Sequence, residues 1–173
     1  MVNSMTEELH YITFNTSMGW VGILASAKGL LGTTLPQSSA QEACLLLGNS
    51  LNQASWSPHL FTDLAERFQA YFSGYQPAFP EELNLSGATP FQCEVWQITR
   101  LIPYGEIRSY AWVANQIKRP RASRAVGQAL GRNPLPIIVP CHRVVASDGK
   151  LGGFGGGIEM KRDLVSLESS NFK

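Results

Sequence analysis

The chain has 173 residues, 44% of them hydrophobic and 16% charged, the composition of an ordinary folded protein with room for one good core or two small ones. No apolar run approaches the roughly 20 residues a membrane span needs, and the start MVNSMTEELH lacks the basic end and apolar core of a secretion signal, so a soluble, cytoplasmic protein is expected. Net charge is only +1, yet residues 100–143 carry eight Lys and Arg against one Glu; that local +7 leaves −6 elsewhere and points to a polyanion-binding surface in the second half.

Residues 9–35, which include YITFNTSMGWVGILASAKGLLGTTL, alternate apolar and polar side chains between glycine breaks and read as strand, turn, strand, turn, strand. SSAQEACLLLGNSLNQA then opens on serine and places Ala43, Leu46 and Leu47 at helical spacing. A second helix is expected over HLFTDLAERFQAYFSG, with Leu60, Leu64, Phe68, Tyr71 and Phe72 on one stripe and Gly74 as its stop. The proline-containing YQPAFPEELNLSGATP reads as a boundary near Ser86 or Gly87, dividing a first domain, 1–86, from a second, 87–173.

TPFQCEVWQITRLI offers Thr89 as a helix cap and Pro90 at the first helical position, with Phe91, Val95, Ile98 and Leu101 or Ile102 as the buried stripe. PYGEI breaks this helix, SYAWVANQI gives a short second one, and the basic KRPR leads into a third, ASRAVGQALGRN. Short helices with a basic connector have the proportions of a helix-turn-helix. In the third helix Ala122, Ala125, Val126, Ala129 and Leu130 form an apolar side, while Arg124, Gly127, Gln128 and Gly131 share another. A glycine on a helix face costs about 1 kcal/mol against alanine, so a reason is needed. Entry of a nearly bare helix into a DNA minor groove only roughly 6 Å wide is one; close packing against another helix is the alternative, as a solvated basic face is for the charge.

Cys44, Cys93 and Cys141 are odd in number and form no C-x-x-C pair, and His10, His59 and His142 are scattered, so neither a disulfide framework nor a metal or cofactor site is expected. The informative cysteine lies in PLPIIVPCHRVV, where Pro134, Pro136 and Pro140 force an extended or turned approach. If helix begins after Pro140, Cys141 gains its positive end and His142 lies close enough to act as base, directly or through one water. An inert buried cysteine is the competing reading. In EMKRDLVSLESS, Glu168 falls on the side of Leu164 and Val165, where a carboxylate is costly unless paired; Cys141, His142 and Glu168 thus suggest nucleophile, base and orienter, against the alternative of a surface glutamate at a fraying end. ASDGKLGGFGGGI holds six glycines without the Gly-Lys-Ser/Thr of a phosphate loop, and suits a bent lid that brings backbone donors to a ligand, or a plain linker.

In order and spacing, TPFQCEVW, IPYGEIRSYAWVA, ASRAVGQALGRNP, PCHRV, the glycine loop and Glu168 resemble the O6-alkylguanine-DNA alkyltransferases, also called methylated-DNA–protein-cysteine methyltransferases. The likeness covers nearly all of the second half; in the first, only the strand pattern around MGWVGILASAKGLLG is similar. It implies an α+β fold: a small N-terminal antiparallel sheet with helices, followed by a mostly helical C-terminal domain containing a helix-turn-helix. It implies Cys141 as alkyl acceptor, His142 as its water-mediated base, Glu168 as orienter and Tyr110 as proton donor to the departing guanine. Asn133 resembles an asparagine hinge between recognition helix and active-site turn. Arg124 resembles an arginine finger that replaces the flipped base, with Ala125, Gly127, Gln128, Gly131 and Arg132 beside it on DNA. Val144, Val145 and Phe154 would line the base pocket, Phe154 standing where some members carry tyrosine, and Gly155 would offer a backbone donor. The Cys/His set of members with a zinc site in the first half is not found.

The activity so implied is single-turnover transfer of an alkyl group from O6-alkylguanine, with O4-alkylthymine as a second candidate, to Cys141. The expected partner is double-stranded DNA carrying the lesion, the expected state a monomer, with no cofactor and no membrane. A non-catalytic damage-binding module and a Cys-His-Glu acyl hydrolase are the alternatives. The cysteine argues against the first, since alkyltransferase-like relatives lack it, and the basic helices against the second.

Overall fold

Leu9–Thr16 (β1), Gly19–Ser26 (β2) and Gly29–Thr33 (β3) form an antiparallel meander in the computed structural model, which describes residues 6–169. Ser39 caps Ala40–Leu47 (α1), its side chain accepting from the Glu42 amide. This helix lies close on the sheet because Gly22 has no side chain: a Cβ there would meet Leu47 Cδ1 at 2.9 Å. The helix expected through Ala54 stops earlier, since Gly48 leaves helical geometry at φ 88°. A 3₁₀ turn, Asn49–Gln53, follows, and Ala54–Trp56 (β4) pairs parallel with β1, giving the order β3-β2-β1-β4. To the antiparallel strands legible in the sequence the structure thus adds one short parallel strand.

Thr62–Phe72 (α2) packs on β1 and buries Leu64, Phe68, Tyr71 and Phe72. Leu60, expected on the same stripe, lies in the turn before the helix and is 55% exposed. Phe14, Phe68, Tyr71, Phe72 and Phe79 make the aromatic centre of this unit, while Arg67 pairs with Asp63 and Glu81 at its edge. Of the described residues, those up to Ser73 and Pro77–Asn84 form the first unit; Gly74–Gln76 and those from Leu85 onward belong to the second.

The second unit opens with a capping box. Thr89 Oγ1 accepts from the Gln92 amide and Gln92 Oε1 from the Thr89 amide, with Pro90 at the first position of Pro90–Thr99 (α3). Val95, Trp96, Thr99 and Ile102 are buried, Phe91 and Ile98 half-buried, and Leu101 is 70% exposed, so Ile102 takes the last place on the stripe. Tyr110–Gln116 (α4) and Ser123–Gly131 (α5) pack on each other and on α3, and Trp96 Nε1 donates to the Ala129 carbonyl at 2.9 Å. Ala125, expected on the apolar side of α5, is exposed; Val126, Ala129 and Leu130 suffice to anchor the helix.

Candidate active site

Two short strands bring distant residues of the second unit together. Arg108–Ser109 (β5) pairs parallel with Val144–Val145 (β6), setting Tyr110, the first residue of α4, beside the turn that carries Cys141 and His142. That turn is a 3₁₀ helix of one turn, Cys141–Arg143, so helix does begin after Pro140, though it is short. The Cys141 and His142 backbone amides at its start favour the thiolate, and other groups add to their effect.

Asn133, just past α5, supplies the first of them. Its Nδ2 donates to Cys141 Sγ at 3.2 Å and to the Val139 carbonyl at 2.9 Å, while its Oδ1 accepts from the Leu135 amide at 2.9 Å. Cys141 is 7% exposed. Burial pushes its pKa above the ordinary thiol value, and the Asn133 hydrogen bond and the charge of Lys161 offset only part of this. The resting group is a thiol whose anion has a donor already in place.

His142 and Glu168 form a buried pair, 1% and 2% exposed, with Nε2 2.6 Å from Oε1. Burial of Glu168 raises its pKa, but the bonds from His142 and Arg143 outweigh that and hold it at about 2. Arg143 Nε and Nη2 grip both carboxylate oxygens, its Nη1 donates to the Ile102 carbonyl, and the Gly105 amide donates to Oε2. The His142 pKa is lowered, chiefly by burial, with Glu168 opposing. A neutral imidazole donating from Nε2 to an ionised carboxylate keeps Nδ1 as its basic nitrogen.

Lys161 was not singled out from the sequence, where it looks like a surface lysine of Ile158–Ser169 (α6). It has no exposed surface and shares the buried face of α6 with Leu164 and Glu168. Its Nζ donates to Tyr110 Oη at 3.4 Å and to the Gly153 carbonyl at 3.3 Å, and lies over the rings of Tyr110 and Phe154. Burial lowers its pKa to about 8 although Cys141 acts to raise it. The signal available was its spacing of seven residues from Glu168, two helical turns on one face. Burial raises the Tyr110 pKa. Over this ring runs the glycine loop: Gly152 has φ 73°, and a Cβ there would fall 2.7 Å from Tyr110 Oη.

Of the other residues singled out, Val144 is fully buried and Val145 4% exposed, Phe154 is half-buried and Gly155 exposed. On α5 and just after it, Arg124, Ala125, Gln128, Gly131 and Arg132 are exposed. Gly127 faces inward instead, half-buried, its Cβ position 3.7 Å from the Tyr110 ring. Among the described residues no group of three or more His, Cys, Asp or Glu could hold a metal ion, and no helix is long and apolar enough to cross a membrane.

A family model described as "6-O-methylguanine DNA methyltransferase, DNA binding domain" matches residues 90–170. A methylated-DNA–protein-cysteine methyltransferase of Mycobacterium bovis is 40% identical over 164 residues, 94% of this chain and 93% of its own. The crystal structure of Mycobacterium tuberculosis O6-methylguanine methyltransferase superimposes with a TM-score of 0.79 at 40% identity over 95% of each chain. The M. tuberculosis protein in complex with DNA is similar over 94% of each chain, also with a TM-score of 0.79. With a relative this similar across nearly its whole length, the chain belongs to the methylated-DNA–protein-cysteine methyltransferase family.

Proposed function

We propose that this protein repairs DNA by direct reversal, transferring the alkyl group of O6-alkylguanine to its own Cys141, and that it does so inside the cell as a monomer. The observation that carries the assignment to Cys141 is the buried His142–Glu168 pair next to a thiol that already accepts a hydrogen bond from Asn133. His142 takes the thiol proton, through one water, and the imidazolium formed is stabilised by Glu168. The sulfur attacks the alkyl carbon in line; the S–C bond forms as the C–O bond breaks, and the electron pair leaves with guanine. Tyr110 donates a proton to the departing base, and the Lys161 ammonium beside its oxygen stabilises the phenolate left behind. The product thioether does not hydrolyse, so each molecule acts once.

A lesion within the base stack must be flipped out to reach a thiol this buried. The exposed face of Arg124, Ala125, Gln128, Gly131 and Arg132 suits a helix-turn-helix whose second helix enters the minor groove, Arg124 filling the vacated stack. Gly127 serves differently from the DNA contact expected of it: packed toward Tyr110, it couples the recognition helix to the proton donor. Val144, fully buried, supports the pocket from behind. Val145, Phe154 and the Gly155 amide are left to meet the base.

Cys141→Ser tests the assignment. It is expected to bind lesion-bearing duplex while transferring no alkyl group; transfer retained by this variant would overturn the assignment.

A further inference from the structure

Among the described residues only Lys118 and Ile137 adopt a left-handed backbone without being glycine, at φ 60° and 76°. Lys118 is exposed just after a helix, where such a residue is ordinary. Ile137 is β-branched, and for that side chain a positive φ is a genuine outlier. It is the middle residue of a tight five-residue turn, Leu135–Val139, closed by the Val139 amide donating to the Leu135 carbonyl at 2.8 Å, with Pro136 and Val139 bridging inside it. A positive φ inside so tight a turn is where glycine is the usual residue. The sequence has an isoleucine there, and its side chain is 3% exposed.

Both ends of this turn are the groups that Asn133 holds: the Leu135 amide on Oδ1 and the Val139 carbonyl on Nδ2. The Val139 carbonyl also accepts from the Cys141 amide at 2.8 Å. We propose that Ile137 is a positioning residue for the reacting thiol: its buried side chain holds the turn in the left-handed form, and that turn keeps Asn133 aimed at Cys141 Sγ. Return of Ile137 to negative φ would pull Leu135 N and Val139 O out of the brace, and the Asn133 amide with them. Isoleucine makes the held form depend on burial, so the turn persists only while the surrounding core is packed. Glycine would tolerate either form and hold neither. The inference rests on Cys141 being the acceptor, but its test does not use alkyl transfer.

The test is the ultraviolet titration of the Cys141 thiolate, read as the difference between each variant and the same variant carrying Cys141→Ser. Ile137→Gly is expected to raise the titration midpoint by roughly 1 pH unit, the effect of losing one hydrogen bond to the charged form. Asn133→Ala should raise it similarly, and the double variant no further than Asn133→Ala alone. Ile137→Val, which restores a buried branched side chain, should return the midpoint toward that of the parent. If Ile137→Gly does not fold, Ile137→Ala gives the same reading, since it too loses most of the anchoring side chain. A lowered melting temperature with an unmoved midpoint would reduce Ile137 to a packing residue and overturn the proposal, as would a shift that adds in full to that of Asn133→Ala. Absence of methyl transfer alongside the expected shift would instead count against the proposed function and leave the role of Ile137 standing.

Discussion

Glu168→Gln should destabilise the protein in a way that depends on pH. The carboxyl group goes from its ordinary value of 4.5 in the unfolded chain to about 2 in the folded one. Between those values the unfolded state binds more protons, so the stabilisation is complete above 4.5 and is lost as pH falls through 2. A difference of this size corresponds to about 3 kcal/mol near neutral pH and about 1 kcal/mol at about pH 3. Glutamine keeps the shape but does not titrate, and it leaves the Arg143 guanidinium, 12% exposed, without a counter-charge. Urea unfolding of both proteins at the two pH values gives the comparison. The gap between them should narrow by about 2 kcal/mol on acidification. A gap that stays constant would mean that Glu168 is not held ionised by His142 and Arg143, and the orienting role assigned to it would fail.

Arg124→Ala should lower repair in duplex DNA while sparing transfer from the free modified base, measured as the two rates side by side; equal loss in both would remove the finger role. Arg132→Ala should weaken duplex binding about equally for all sequences and reduce the slope of log affinity against log salt by about 1, read from binding titrations at several salt concentrations; an unchanged slope would take this residue off the phosphate backbone. For Lys161→Met we expect slow transfer at neutral pH. Because the Lys161 pKa is lowered to about 8, the advantage of the parent over this variant should shrink as pH rises through that value, which a pH series of single-turnover rates would detect. An advantage that persists unchanged well above it would assign Lys161 to packing alone.

Much of the site is legible in the sequence because its parts follow local rules. Thr89 and Pro90 announce a helix start by capping chemistry, and the structure completes the box with Gln92. Cys141 and His142 are adjacent, and Glu168 stands out as a carboxylate on an apolar helix side. What escapes sequence reasoning depends on long-range pairing. Arg143 counts as one more cation of a basic segment until β5 and β6 pair and turn it onto Glu168, 25 residues away. Lys161 reads as a solvated residue until Tyr110 and the Gly153 carbonyl surround it. The early stop of α1 follows from Gly48, a residue whose freedom a periodicity argument passes over. Ala125 and Leu60 illustrate a converse limit, since apolar spacing locates a stripe but not where burial along it ends.

In the proposed reaction one alkyl group moves once, onto one sulfur. Its most direct test is intact mass followed by peptide mapping, after incubation with excess duplex DNA carrying a single O6-methylguanine. One added methyl per protein is expected, located on the peptide containing Cys141, with an equal amount of restored guanine and no second turnover. Lesion-selective binding without any change in mass would contradict it and make the protein a sensor of damage; a methyl group found on another residue would contradict the assignment of the site.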